Sequence, residues 1–559
     1  MTDFQPTYFG KFVNTTEDPE LFATYKPKIE AYKARLAAGV LPEYALPTDL
    51  LPQKLGVDAT LIATKHLSDS ELKIVDTPAY ILVDEIASGK LTSVEVFKAY
   101  AKTATAAHQL TNCAMELFVD EGLKRAEELD AYYKKTGKTV GPLHGVPISL
   151  KEHYNYKGRI THGATVGMID NVTEGFCSLL ELLYNAGAVF YVRTTEPQSL
   201  MHLCSNNNIT GLCKNPANTA LTTGGSSSGE GAIVTLKGSA MGVGSDIGGS
   251  IRAPAAFCGC WGLRPTQKRV TELDLTTNTL GAPEAVVAVL GPLARCAQDL
   301  DLFMKVQADS KPWENDPTII PLPWRTVAAP ATKDLKVAIM YDDGVVKPTP
   351  PILRGLKVAA EKLKAAGATV VEWESFGVEE LVATVNCMYN SNGNTAQKKS
   401  FAKSGEPLQE LTKIALSFGK GDEMLTALEE HMLVYTRETY RVKYHNKMKE
   451  LGIDFILSPT YASVAAKPET IHYWGYTSLW NILDFPNVIF PTGLRCDPSL
   501  DAPDKSYQPR SELEKYEYEL YDDAENFKGA PISLQLTGKR WFDEEVVKAS
   551  EIIHKIISQ

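Results

Sequence analysis

Residues 242–252 read Gly242-Val243-Gly244-Ser245-Asp246-Ile247-Gly248-Gly249-Ser250-Ile251-Arg252, and an earlier run reads Gly224-Gly225-Ser226-Ser227-Ser228-Gly229-Glu230-Gly231. Residues 224–262 hold 11 of the 40 glycines, against about 3 for an even spread. Glycine permits positive φ and close backbone approach, and successive exposed amides can cradle an anion. A phosphate loop needs Lys followed by Ser or Thr directly after its glycines, and the nearest lysine, Lys237, lies too far along. A dinucleotide fingerprint fails because Ile247 stands where the third glycine belongs. Gly225-Ser226-Ser227-Ser228-Gly229 matches GxSxG, but a nucleophile elbow needs a strand immediately before it, and Asn215-Pro216-Ala217-Asn218-Thr219 is turn material. A tightly packed loop without chemistry is the plain reading of one such run. Two runs, each centred on a serine and 24 residues apart, weigh against it.

Outward from these runs, strand-like apolar stretches alternate with helix-like ones. Upstream, 146–150 and 188–192 read as strands, with a helix over 174–185. Ser68 with Glu71, and Thr92 with Glu95, make capping boxes; the second opens a helix through about residue 107. Residues 228–236 read as a helix with little charge, and 251–257 as the start of another. Downstream, strands at 336–341 and 369–373 flank a helix at 352–366. A long charged helix at 429–451 precedes strands at 455–457 and 531–536, and the last helix covers 544–557. This alternation predicts an α/β fold with one large sheet covered by helices on both faces. Residues 496–527, polar and irregular, read as surface loop. The first 75 residues are helical and polar, so 1–74 is expected to be an N-terminal helical extension and 75–559 a single catalytic domain.

Gly145-Val146-Pro147-Ile148-Ser149-Leu150-Lys151-Glu152 ends an apolar strand on a lysine. Lysine is almost never fully buried without a partner, so Lys151 either reaches water, pairs with Glu152, or has a task. Lys151, Ser226 and Ser250, in the contexts quoted, resemble the amidase signature family of serine hydrolases. Leu110-Thr111-Asn112-Cys113, Gly141-Pro142-Leu143-His144-Gly145, Pro351-Ile352-Leu353-Arg354-Gly355 and Gly529-Ala530-Pro531 resemble the fungal acetamidase-type general amidases. The likeness runs from about residue 70 onward and implies that family's large mixed sheet. It also implies Ser250 as nucleophile, Ser226 as a proton-relaying serine after a cis peptide, and Lys151 as base. The amides of Ile247, Gly248, Gly249 and Ser250 would bind the oxyanion, and the Leu200 carbonyl the substrate amide. Ser227, Asp246 and Arg252 would orient the loop. Ser228 departs from the family's usual glycine. No cofactor and no metal is implied. The substrates implied are short aliphatic amides such as acetamide, cleaved to carboxylate and ammonia through a seryl acyl-enzyme. Longer fatty-acid or aryl amides are the alternative. A catalytically silent or amidotransferase-type subunit is the alternative of another class. The chemistry is coherent: free lysine titrates near 10.4, and only desolvation makes it a base near neutral pH.

The composition agrees with a globular enzyme. Of 559 residues, 44% are hydrophobic and 22% charged, and the net charge is 57 − 68 = −11. That balance argues against nucleic acid as a partner. No run of 18 apolar residues predicts a membrane span, and Met1-Thr2-Asp3-Phe4-Gln5-Pro6 has no signal-peptide character. A cytoplasmic location is the expectation, with the nine cysteines as reduced, buried thiols. The partner expected is a small-molecule amide, with a homodimer as the oligomer left open. Cys258 and Cys260 lack a second pair at zinc spacing. His144 and His153 flank Lys151, so a Ser-His-Asp triad is a further alternative, without an identifiable acid. Tyr473, Trp474, Tyr476, Trp480, Phe485 and Phe490 read as core, with an acyl pocket wall as a side role.

Overall fold

Pro147-Ile148-Ser149-Leu150-Lys151 is buried at every position. So is Val189–Thr194. Strands that lack polar alternation must be covered on both faces, and parallel neighbours satisfy that. The computed structural model describes residues 4–277 and 285–559; Met1, Thr2 and Asp3 of the N-terminal reading lie outside them. Its strands are β1 (Ala114–Leu117), β2 (Pro147–Lys151), β3 (Val189–Thr194), β4 (Met241–Asp246), β5 (Trp261–Arg264), β6 (Val289–Ala294), β7 (Lys336–Ile339), β8 (Thr369–Glu372), β9 (Phe455–Ser458), β10 (Asn487–Arg495) and β11 (Pro531–Gly538). They form one 11-stranded sheet in the order β1-β3-β2-β4-β6-β5-β10-β11-β9-β7-β8. The groups β3-β2-β4 and β9-β7-β8 are parallel. The other pairs are antiparallel. Helices cover both faces of this mixed sheet, as the alternation predicts. Arg252–Cys258 and Asp543–Ser558, for example, both pack on β10 and β11. One apolar core runs from Leu36 to Ile557, and a second cluster surrounds Trp480, Tyr444 and Trp373.

Both capping boxes form. The helix opened by Thr92 runs past 107 to Thr111 and ends on Asn112 at φ 59°. The helix expected over 174–185 starts only at Ser178. The strand expected at 188–192 continues to Thr194. The stretch read as surface loop holds a helix, Glu512–Glu519, capped by Ser511. Its buried Glu517 accepts hydrogen bonds from the Tyr461 hydroxyl and the amides of His472 and Tyr473. Charges consumed by partners elsewhere in the chain let a polar segment pack. Among the described residues, no helix is long and apolar enough to cross a membrane.

Candidate active site

The carboxyl ends of the parallel strands β2 and β4 lie side by side, with Leu150 opposite Val243. In open α/β sheets, this end of the strands is where ligands bind. Lys151 closes β2 with its side chain 0% exposed. It does not pair with Glu152, whose carboxylate accepts from the amides of His162 and Gly163. Among the described residues, Lys151 makes no ion pair. Its Nζ lies 2.7 Å from Ser226 Oγ and 3.0 Å from Ser245 Oγ. Burial pushes the Lys151 ammonium down to about 8, against the opposing pull of Glu196, Asp246 and Glu230. Glu230 is itself pushed up to about 7 by burial, although Ser149 and Thr194 donate to it.

Ser226 follows a cis peptide bond to Gly225. A Cβ on Gly225 would sit 2.1 Å from the Cys204 carbonyl oxygen, so only glycine fits there. Ser228 fills the place of the usual glycine by bonding across the turn: its hydroxyl lies 2.9 Å from the Gly224 carbonyl. Ser227 pins the two serine runs together, donating its N–H to the Ser250 carbonyl at 2.9 Å and accepting from Ser245 N at 3.2 Å. Ser226, Ser250, Leu200 and Ile247 line one cavity of about 420 Å³. Its other walls include Met201, Leu275, Val286, Leu290, Met388 and Tyr389. Ser250 is 6% exposed. Among the described residues, no hydrogen bond joins its hydroxyl to Ser226 or to any other group. Leu200 and the preceding Ser199 both have positive φ, 62° and 68°. Two adjacent non-glycine residues in that region mark a segment held by its surroundings.

The turn after β4 is anchored from behind. Tyr389 donates its hydroxyl to the Ile247 carbonyl at 2.9 Å, and Thr477 donates to the Gly248 carbonyl at 2.6 Å. Asp246 accepts from Gly249 N at 2.9 Å and Ile251 N at 3.0 Å. With these groups engaged, the N–H groups of Ile247, Gly248 and Ser250 meet no protein acceptor among the described residues. Gly249, expected among the oxyanion donors, has its N–H engaged by the Asp246 carboxylate. Gly249 serves the turn, at φ 130°, where a Cβ would sit 2.5 Å from Thr477 Oγ1. Arg252 grips Asp246 through Nε at 3.0 Å and Nη2 at 2.9 Å. Its Nη1 reaches the Thr477 carbonyl, Asn487 and Gln535. Burial alone would raise the Asp246 carboxyl; Arg252, together with Asn481 and Arg264, more than offsets that and holds it well below the usual range.

Sequence reasoning missed Ser245 as a partner of Lys151, and it missed Tyr389, Thr477 and Asn481. The last three come from helices 142 to 235 residues away in the chain. The triad alternative through histidine is not assembled: His153 Nε2 meets Ser245, and His144 Nδ1 accepts from Val140 N. The aromatic cluster is core, and none of its six members lines the cavity. Cys258 and Cys260 are buried free thiols.

The sequence profile of the Amidase family matches residues 95–547. An acetamidase of Aspergillus oryzae is 37% identical over 91% of this chain and 93% of its own length. An acetamidase of Emericella nidulans is 37% identical over 94% and 97%. A solved structure titled fatty acid amide hydrolase superposes with a TM-score of 0.95, at 49% identity over 98% of each chain. On this match across most of its length, and with relatives of that similarity, the chain belongs to the amidase family and is an amide hydrolase.

Proposed function

We propose that the chain hydrolyses carboxylic amides to carboxylate and ammonia through an acyl-enzyme on Ser250. The observation that carries this reading is the 2.7 Å contact between the buried Lys151 amine and Ser226, which lines the same cavity as Ser250. Neutral Lys151 takes the proton of Ser226 as Ser226 takes that of Ser250, and Ser250 Oγ attacks the amide carbon. A serine hydroxyl needs such a neighbour to become a competent nucleophile. The free amides of Ile247, Gly248 and Ser250 stabilise the charge that develops on oxygen. The C–N bond breaks as the same path returns the proton to the leaving nitrogen, and water then releases the acid. Leu200 is assigned to hold the substrate amide, and Ser227, Asp246 and Arg252 to fix the loop. Residues 75–559 are assigned as the catalytic unit, with 1–74 as an extension whose Leu36 and Tyr44 join the same core.

For the acyl group we propose an apolar chain longer than acetyl. The cavity, about 420 Å³ with Met201, Leu275, Val286 and Leu290 in its walls, supports this. The likeness to the fatty acid amide hydrolase structure supports it too. The two acetamidase relatives favour the short-amide reading, and a graded panel separates the two. Across acetamide, butanamide and hexanamide, kcat/KM should rise about fourfold per methylene, the worth of about 0.8 kcal/mol of buried CH2. A maximum at acetamide would return the assignment to short amides. The protein purified alone should release ammonia; failure to do so would favour a silent or amidotransferase-type subunit.

A further inference from the structure

Lys151 has a second polar partner, and that partner belongs to a chain. Ser245 Oγ is 3.0 Å from Lys151 Nζ and 3.1 Å from His153 Nε2. His153 Nδ1 lies 3.3 Å from the Thr276 carbonyl oxygen. The backbone places that carbonyl, because Thr276 N donates to the His153 carbonyl at 3.2 Å and Tyr154 pairs with Leu275. A carbonyl can only accept, so Nδ1 carries the ring proton, and in a neutral imidazole Nε2 is left as an acceptor. Burial, with Lys151 and Arg193 adding to it, holds the His153 ring well below the usual imidazole range, so it is neutral. The Ser245 hydroxyl proton then goes to Nε2, and the Ser245 lone pair is open to an N–H of Lys151. A neutral amine has two N–H bonds and one lone pair. With one N–H fixed on Ser245, the lone pair can face Ser226.

We propose that His153 is a positioning residue that, through Ser245, draws the Ser245 proton away from Lys151 and keeps the amine lone pair turned towards Ser226. This rests on the reading of Lys151 as base. The carboxyl groups facing Lys151 from elsewhere, Glu196, Asp246 and Glu230, act on its charge. The His153 chain acts on its direction.

The two effects separate in kinetics. His153→Phe, Ser245→Ala, the double variant and Lys151→Met are each checked for native circular dichroism and assayed for ammonia release from pH 6 to 10. His153→Leu replaces the phenylalanine variant should that one not fold. Without His153, the Ser245 hydroxyl has no acceptor on that side and donates to the Lys151 lone pair, competing with Ser226. The alkaline plateau of kcat should therefore fall about tenfold, less than the roughly 100–10,000-fold of a whole general-base contribution because the base is only misdirected, with KM unchanged, and raising the pH should not restore it. The double variant should be more active than His153→Phe, because the competing hydroxyl is gone. A His153→Phe plateau equal to that of the wild type would overturn the proposal, as would a double variant weaker than either single one. Lys151→Met should be inactive at every pH. If it keeps activity, the base reading itself fails; if it is inactive and His153→Phe behaves as wild type, only the positioning role fails.

Discussion

Ser250→Ala should lower ammonia release by at least about 10⁴-fold, the scale seen when a hydrolase loses its nucleophile. The substitution removes one oxygen and leaves the free amides of Ile247, Gly248 and Ser250 in place, so any residual rate reports the oxyanion site alone. The fold should not notice. The Ser250 hydroxyl makes no hydrogen bond among the described residues, and the backbone bond from Ser227 N to the Ser250 carbonyl at 2.9 Å survives. The melting temperature should match that of the wild type, because the oxygen removed makes no hydrogen bond among the described residues and lines the cavity. A Ser250→Ala protein that keeps more than a few per cent of activity would remove Ser250 from its assigned role.

Arg252→Met should cost both stability and rate. Arg252 and Asp246 are both fully buried, and the guanidinium also ties in Thr477, Asn481, Asn487 and Gln535. Removing one partner of a buried ion pair leaves an uncompensated charge, worth about 3–5 kcal/mol. Asp246 loses the group that holds its carboxyl low, so its grip on Gly249 N and Ile251 N weakens. The turn carrying the free amides loosens with it, and one lost oxyanion donor costs about 100–1000-fold in rate. Thermal melting and kcat together test this: both should fall in Arg252→Met. A variant that melts and turns over like the wild type would show that the buried network does not position the loop.

The residue types of this site conflict with ordinary folding preferences, which marks the positions, while their roles came only from the resemblance to the amidase signature family. A lysine ending an apolar strand and two serine-centred glycine runs are locally unfavourable, so they mark positions where something other than stability decides. Lys151 meets Ser226, and Ser226 and Ser250 line one cavity, while among the described residues no hydrogen bond joins the two serines. The alternation of strands and helices gave the α/β class, yet β4 was not anticipated: Gly242 and Gly244 have little β preference of their own. The bond from the Gly249 amide to Asp246 was not legible, because spacing shows that a backbone N–H exists but not which acceptor it has found. Tyr389, Thr477 and Asn481 carried no signal at all. Each is an unremarkable residue on a helix, and only tertiary packing brings it to the turn after β4.

The pH dependence of kcat/KM tests the central claim most directly, because it reads the charge of Lys151. Burial lowers this amine to about 8. A base must be unprotonated, so activity should climb about tenfold per pH unit below that value and level off above it. The account predicts an ascending limb with its midpoint near 8 that is absent from Lys151→Met. A profile that is flat from pH 6 to 9, or one that peaks in acid, would contradict an uncharged Lys151 as the group that activates Ser250.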